Sequence, residues 1–220
     1  MLDLRYKMAH RQLRGVGLEI GALDRPLFLP QGVKAFYLDR LSPSDLYRHY
    51  PELSHRHFYV SIVGDGETMN CIRDASLDFL IANHVIEHMQ DPIGTLRTFT
   101  RTLRPHGKIF MAVPDMRSTF DHRRAETTWE HHLRDHTDGP AVSRRDHYQE
   151  WAVLVDGLAN SAADERARNL LAQDYSIHFH CWTLEGFRSF LDHLAAILPL
   201  RIAETKSWRN ENIFIIEKTE

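Results

Sequence analysis

Residues 76–115, SLDFLIANHVIEHMQDPIGTLRTFTRTLRPHGKIFMAVPD, decide the fold of this chain. The runs 77–82 and 108–113 predict β-strands, because they are too short for buried helices and are rich in aromatic and β-branched residues. Between them, Asp91 is placed as an N-cap and Pro92 as the first residue of a helix. Strand, crossover helix and strand in this order predict a parallel sheet.

The rest of the chain extends this pattern in both directions. Five further strand-like runs lie at 17–21, 34–39, 57–63, 200–206 and 212–217. Together the seven runs predict an α/β fold with a doubly wound, mostly parallel, seven-stranded sheet of the Rossmann-like kind. In this prediction the last run forms a final antiparallel edge strand.

The segment after the fifth predicted strand interrupts the alternation. Residues 115–150 are rich in charged residues and histidine, so they predict neither a sheet strand nor an ordinary connection. Helical patterns follow at 151–173 and, capped by Thr183, at 184–198. We therefore expect a single domain over residues 1–220, with a helical insert after strand five that forms a lid or cap subdomain at about 115–176.

Composition narrows the classes of function. The 220 residues carry 27 basic and 30 acidic side chains, a net charge of −3, whereas proteins that bind nucleic-acid phosphates usually carry a basic excess. No apolar run approaches the roughly 20 residues that a membrane span needs, and two cysteines are too few for a disulfide framework. The sequence predicts a cytoplasmic protein without a membrane span, disfavours nucleic-acid partners and does not indicate an oligomeric state.

Polar residues at the predicted strand ends favour a nucleoside ligand, because open α/β sheets bind ligands there. Asp39 follows Gly21 by eighteen positions, which suits an acid that accepts hydrogen bonds from ribose hydroxyls. The loop from Gly21 to Pro26 lacks two of the three glycines of a dinucleotide-binding loop, and Asp24 would repel a pyrophosphate. S-adenosylmethionine, a nucleoside with a cationic amino-acid end and no phosphate, suits this loop better.

Five stretches of the chain together resemble the motifs of class I S-adenosylmethionine-dependent methyltransferases. They are LEIGALD at 18–24, YLDR at 37–40, GDGETM at 64–69, SLDFLIANHVIEHMQDP at 76–92 and LRPHGKIFMAVPD at 103–115. Within that class the chain is similar to bacterial methyltransferases encoded among glycan and cell-surface polysaccharide genes, through EIGALDRPL, the FDHRR and DHYQEW pieces of the insert, and HFHCWT near residue 180. The resemblance implies S-adenosylmethionine as the cofactor.

The resemblance also implies a cofactor site. Its residues would be Glu19, Gly21 and Ala22 on the methionine and ribose side, Asp39 and Arg40 at the ribose hydroxyls, Asp65, Gly66 and Glu67 at adenine, and Asn83 and His84 under the methyl-bearing sulfur. One position departs from the family pattern: Leu23 stands where a second glycine is usual.

The segment HVIEH at 84–88 permits three interpretations. H-x-x-E-H is the inverted zinc-protease signature, but here it lies between a strand and the start of a helix. It also resembles the E-x-x-E-H of small-RNA 3′-end 2′-O-methyltransferases, which bind a divalent ion. The candidate ligands would then be Glu87 and His88, with either His178 or His180 as the distant ligand. We favour the third interpretation, a metal-free loop in which His88 shapes the pocket.

Methyl transfer to a hydroxyl requires in-line positioning and a base of near-neutral pKa, which makes His84 and His88 the candidate catalytic residues. We expect O-methylation of a small-molecule or glycan acceptor, a sugar or glycan precursor, on which Trp129, Tyr148 and Trp151 of the insert would stack. Two alternatives stay open: an RNA ribose 2′-O-methyltransferase with a divalent metal, and a non-catalytic cofactor-binding scaffold module.

Overall fold

The computed structural model describes residues 4–220. Its strands are β1 (Val16–Ile20), β2 (Lys34–Asp39), β3 (Ile62–Val63), β4 (Leu77–Asn83), β5 (Leu103–Pro114), β6 (Leu200–Trp208) and β7 (Glu211–Lys218). They form one seven-stranded sheet in the spatial order β3-β2-β1-β4-β5-β7-β6. The predicted α/β fold with a mostly parallel sheet is confirmed.

The strand directions agree with the prediction, but the position of the last strand in the sheet does not. Strands β1 to β5 pair in parallel, whereas β7 runs antiparallel to both β5 and β6. β7 therefore lies inside the sheet and β6 forms the edge, so the predicted edge position of 212–217 is wrong. The physical reason is burial: β7 is buried over its first six residues, whereas every residue of β6 after the first is half-buried or exposed. An interior strand is covered on both faces.

Seven α-helices are present in residues 4–220. They are α1 (Leu4–Gln12), α2 (Pro43–His49), α3 (Pro92–Thr102), α4 (Trp129–Asp138), α5 (Ala141–Glu150), α6 (Asn160–Ala172) and α7 (Leu184–Ala195). The two predicted caps are confirmed: Asp91 accepts the Gly94 N–H at 2.9 Å, and Thr183 accepts the Gly186 N–H at 3.1 Å. None of the helices combines the length and the apolar character needed to cross a membrane.

β5 begins earlier than predicted, at Leu103, directly after α3. Residues 105–107, which precede the predicted run 108–113, lie within the strand as a bulge. Leu77 of β4 lies opposite Leu103, but Phe79 lies opposite Lys108. The extra residues of β5 bend the strand locally, as β-bulges do.

β3 keeps only two residues of the predicted run 57–63. Ile62 and Val63 pair with the end of β2, and the residues before them make single backbone hydrogen bonds, such as the Tyr59 N–H to Leu23 O at 2.9 Å. The turn that follows β3 nevertheless lies at the same edge of the sheet as Asp39, because residues of both line one cavity.

Apolar layers cover both faces of the sheet. One joins Leu80 of β4 to side chains of α3 and α7, among them Phe99. The other joins Phe79 of β4 to Met8 of α1. Successive residues of β4 thus face opposite layers and both are buried, as in the interior strands of doubly wound sheets.

Helices α4, α5 and α6, with one turn of π-helix at Trp151–Val155, occupy the segment between β5 and α7. Their own apolar cluster is small and includes Tyr148, Ala163 and Phe179. From α6 the chain returns to the carboxyl edge of the sheet. The lid or cap subdomain at about 115–176 stays a prediction.

Candidate functional site

A cavity of about 460 Å³ opens at the carboxyl ends of β1, β2 and β4, a volume within the range of about 300–1,000 Å³ that is typical of small-molecule sites. Eight of the predicted site residues line this cavity: Gly21, Asp39, Arg40, Asp65, Gly66, Glu67, His84 and His88. The fold therefore brings together residues from four separate loops.

The loop after β1 keeps a glycine-like backbone although it has lost a glycine. Gly21 has φ +62 and donates its N–H to Leu38 O at 2.9 Å, a φ that disfavours side chains. Leu23, in place of the second family glycine, has φ +48 and so takes up a left-handed conformation that a β-carbon makes unfavourable. The hydrogen bond from the Tyr59 N–H to the Leu23 carbonyl helps to hold it there.

Asp39 lies at the end of β2 with one oxygen held by the backbone. Its Oδ1 accepts the Leu41 N–H at 2.9 Å. Burial raises the pKa of Asp39, and the Leu41 hydrogen bond opposes this shift. A carboxylate offers about four acceptor positions, so Asp39 retains capacity for the hydroxyls of a ligand. Arg40 beside it contacts Asp174, with 3.8 Å between Nη1 and Oδ2.

Asp65 and Glu67 organise the turn after β3. Asp65 Oδ1 accepts the Glu67 N–H at 2.8 Å. The Glu67 carboxylate in turn accepts the N–H groups of Gln90 and Asp91, at 2.8 and 3.2 Å. Glu67 thus fastens this turn to the loop before α3, and burial raises its pKa.

Three predicted cofactor residues are not among those that line the cavity: Glu19, Ala22 and Asn83. Both oxygens of Glu19 accept the Leu27 N–H at 3.0 Å, so this side chain ties the loop after β1 to its own strand. Burial raises the pKa of Glu19 to about 7. Ala22 is buried, and Asn83 Oδ1 is buried without a hydrogen bond inside residues 4–220.

His84 is oriented by a carboxylate from the far end of the chain. Its Nε2 lies 2.7 Å from Glu211 Oε2, and its Nδ1 lies 3.5 Å from Glu87 Oε1. Glu211 also accepts a hydrogen bond from Arg5 Nε at 2.7 Å. Burial by itself raises the pKa of Glu211, but the hydrogen bonds from His84 and Arg5 lower this pKa to about 2. The carboxylate is therefore ionised and accepts from His84 Nε2–H.

His88 is neutral. Its Nδ1 lies 2.9 Å from Ile177 O, and because a carbonyl only accepts, Nδ1 carries the hydrogen. Burial, with a smaller effect from His178, lowers the pKa of His88 to about 3. Nε2 is thus left with an available lone pair.

Three of the four candidate metal ligands lie together. Glu87, His88 and His178 each offer one ligand atom, and these atoms lie within 4.8 Å of one another. Glu87 is completely buried, and neither of its oxygens makes a hydrogen bond within residues 4–220. His178 Nδ1 lies 2.7 Å from Asp121 Oδ2, an outer partner of the kind that orients metal-bound histidines. The residues fit a divalent ion at this point.

His180, the fourth candidate ligand, is not part of this group. Its ring lies on the insert side, where it meets His131, Asp135 and His147. Of the two alternatives for the distant ligand, His178 lies with Glu87 and His88, whereas the His180 ring belongs to the other cluster.

A second cavity, of about 420 Å³, lies on the other side of His84. Its lining combines cationic and aromatic side chains: Arg5, Tyr6, Arg25, Phe28, Trp208 and Arg209. The Arg209 guanidinium stacks over the Trp208 ring at 4.3 Å, and Arg5 pairs with Glu211. His84 lines both cavities, and its partner Glu211 lines the second.

Several residues of the site gave no signal in the sequence. Glu211 belongs to β7 and reaches His84 only through the sheet, and Tyr175 and Ser176 reach the first cavity from the return segment after α6. Conversely, Tyr148, expected to stack on an acceptor, is completely buried and donates its hydroxyl to Tyr175 O at 2.9 Å. Only distances in the folded chain distinguish these cases.

Comparison with known proteins places this geometry among related folds. A family model described as a methyltransferase domain matches residues 27–194. The chain is similar to a solved SAM-dependent methyltransferase from Methanosarcina mazei, with a TM-score of 0.54, 15% identity and 99% of each chain covered. It is also similar to a protein from Pyrococcus horikoshii, with a TM-score of 0.52, 16% identity, and 97% and 86% of the two chains covered. No curated protein sequence matches the chain.

Proposed function

Because the methyltransferase-domain model matches more than half of the chain, the chain belongs to the class I S-adenosylmethionine-dependent methyltransferases, and we propose that it methylates a hydroxyl of a sugar or glycan precursor. The similarity of its EIGALDRPL and HFHCWT stretches to methyltransferases of bacterial glycan genes supports this acceptor class. Three features of the site support it further: the cofactor cavity, the base and the second cavity.

The first cavity suits the cofactor. Asp39 would accept the ribose hydroxyls and Asp65 the adenine amino group, while the φ of Gly21 keeps the loop after β1 free of a side chain at that point. When bound, S-adenosylmethionine supplies a methyl group already activated on a sulfonium. The chain itself has only to position the acceptor and to take its proton.

The observation that carries the proposal is the place of His84 between the two cavities, with Nε2 at 2.7 Å from Glu211. The ionised Glu211 holds the hydrogen on Nε2 and leaves Nδ1 as a proton acceptor, as the carboxylate of a catalytic triad does. Glu211 also stabilises the imidazolium that forms when Nδ1 takes the hydroxyl proton. His88, with its pKa of about 3, is a weak base near neutral pH.

The second cavity suits an anionic sugar. Aromatic side chains such as Tyr6 and the exposed Phe28 offer faces to a sugar ring, while Arg25 and Arg209 suit a phosphate or carboxylate. We therefore assign the acceptor to this cavity rather than to the aromatic residues of the insert, of which Tyr148 is buried. Sugar phosphates and nucleotide sugars are the acceptor classes to test first.

Calorimetric titration with S-adenosylhomocysteine, followed by methyl transfer to neutral and phosphorylated sugars, tests the proposal. We expect micromolar binding and transfer to phosphorylated sugars that is lost on Arg209→Ala. Absence of binding would contradict the cofactor site. Tight binding without transfer to any hydroxyl acceptor would favour the scaffold alternative.

A second candidate function rests on the group formed by Glu87, His88 and His178. These side chains would hold a divalent ion, which when bound lowers the pKa of a hydroxyl ligated to it. The orphaned oxygens of Glu87 and the outer partner of His178 support this candidate. It predicts methylation of the 2′-hydroxyl at an RNA 3′ end that requires a divalent ion and is abolished by Glu87→Gln; equal transfer with and without chelator would exclude it.

A further inference from the structure

Helices α4 and α5 pack against each other through polar side chains. The buried residues of α4 are His132 and Asp135, and those of α5 are Ser143, His147 and Tyr148. Helices of ten residues are marginally stable by themselves and normally rely on an apolar face. Something other than apolar burial therefore holds this pair together.

Imidazole nitrogens from three segments surround the Asp135 carboxylate. Asp135 Oδ2 lies 3.1 Å from His131 Nε2, 3.8 Å from His147 Nε2 and 3.9 Å from His180 Nε2. The Nε2 atoms of His131 and His147 are 3.1 Å apart. Bonds of about 2.0–2.1 Å to a tetrahedral zinc ion place its ligand atoms about 3.3 Å from each other. The observed separations bracket that value.

The carboxylate is also prepared as a ligand. Asp135 is 1% exposed, and its Oδ2 makes no hydrogen bond inside residues 4–220. Its other oxygen, Oδ1, accepts the Ser143 hydroxyl at 2.6 Å, the kind of outer contact that orients a ligating carboxylate. An ion at the centre of the cluster would coordinate Oδ2, which is buried and is contacted by imidazole nitrogens without a hydrogen bond of good geometry.

We propose that four side chains of this insert bind one divalent transition-metal ion, with zinc as the type: His131, Asp135, His147 and His180. Three imidazoles and one carboxylate suit zinc and its neighbours, whereas magnesium and calcium prefer oxygen ligands. His131, at the partly exposed side, gives a path of entry.

This site differs from the group at Glu87 in its completeness. Four protein ligands close the coordination of a tetrahedral ion, which is the arrangement of structural zinc sites, whereas three ligands leave a position open for water or substrate. The closed site joins α4, α5 and the segment before α7. An ion there would fix the segment that carries Tyr175, Ser176 and Phe179, which line the first cavity. The inference does not rest on the proposed function.

Metal titration of the full-length protein tests the inference. The protein is freed of any histidine tag, stripped with chelator, and titrated with zinc against a chromophoric chelator. We expect one tight equivalent per chain in the wild type, in the exposed-histidine control His122→Gln and in Glu87→Gln. We expect that equivalent to be lost in Asp135→Asn and in His147→Gln. We expect Ser143→Ala to weaken zinc binding by about 10–100-fold, as substitutions of residues that contact a metal ligand do.

Cobalt substitution of the wild type gives a readout that does not depend on variant folding. The closed site predicts the intense visible absorption of tetrahedral cobalt, removed by one equivalent of zinc. The inference is overturned if the wild type retains no tight equivalent, if cobalt binds without tetrahedral bands, or if the equivalent persists in Asp135→Asn. Loss of the equivalent in Glu87→Gln instead would assign the ion to the other group.

Discussion

The carboxyl edge of the sheet and the insert hold their acidic side chains in opposite ways. At the sheet edge, Asp39 and Asp65 each accept the backbone N–H of the residue two positions further on. In the insert, Asp135 is surrounded by imidazoles from two helices and from the segment before α7. The first arrangement is completed within each loop, whereas the second is completed only when separate elements have packed.

This difference indicates which region binds a ligand and which region stabilises the fold. A carboxylate held by its own loop keeps acceptor positions for a molecule that comes and goes. A buried carboxylate whose partners come from distant elements stabilises their packing, and leaving it partly satisfied is costly. We therefore expect substitutions at the sheet edge to change binding and catalysis, and substitutions in the insert to change stability.

The largest effect is expected at His84. His84→Gln should lower kcat by about a hundredfold to ten-thousandfold, because a positioned general base contributes this much, while the affinity for S-adenosylhomocysteine changes little. Steady-state methyl transfer with a sugar acceptor measures the first quantity and calorimetry the second. His88→Gln is the matched control and should lose less activity; the reverse order of the two variants would move the base to His88.

In the insert, Arg124→Met should lower the free energy of unfolding by about 3–5 kcal/mol, the usual result of removing one partner of a buried ion pair. Arg124 is 6% exposed and its guanidinium contacts Asp121, Glu150 and the Phe179 carbonyl. Urea denaturation measures the loss. Arg123→Met, at the exposed neighbouring position, is the control; equal losses in both variants would contradict a stabilising role of the network.

Asp39→Ala should weaken binding of S-adenosylhomocysteine by about 10–100-fold, because hydrogen bonds to a charged group contribute about 1.5–3 kcal/mol. Zinc binding by the insert should not change, which separates the two regions. Calorimetry on Asp39→Ala and on the exposed-acid control Asp74→Ala measures the effect. Unchanged affinity would remove Asp39 from the cofactor site.

The smallest effect is a pH dependence at Glu19. Its pKa rises from 4.5 to about 7 on folding, so the folded state binds the proton more tightly, and stability is lost as pH rises from 4.5 through about 7. Glu19→Gln removes this loss. The stability of Glu19→Gln relative to the wild type should therefore increase across that window, by up to about 1.4 kcal/mol per pH unit, as measured by thermal unfolding at the two ends of the window. Glu52→Gln, at an exposed position, should show no such change.

Much of the fold and part of the site could be predicted from the sequence because they are encoded locally. The helix cap at Asp91 and the paired runs around it need no distant partner, and Gly21 and Asp39 lie at the cavity because strands end where their apolar runs end. The place of β7 could not be predicted in this way, since a hairpin can add to a sheet by either of its strands. Burial on both faces decided that β7 pairs with β5.

The sequence by itself determined the class of fold, the order of strands and helices along the chain, and the polar residues that follow each strand, because periodicity and turn chemistry act over a few residues. Only the tertiary structure decided that Glu211 orients His84, that Glu19 serves its loop, and that His178 and His180 belong to different clusters. The physical reason is that hydrogen bonds and metal ligation act over about 3 Å in space, whatever the separation of the residues along the chain.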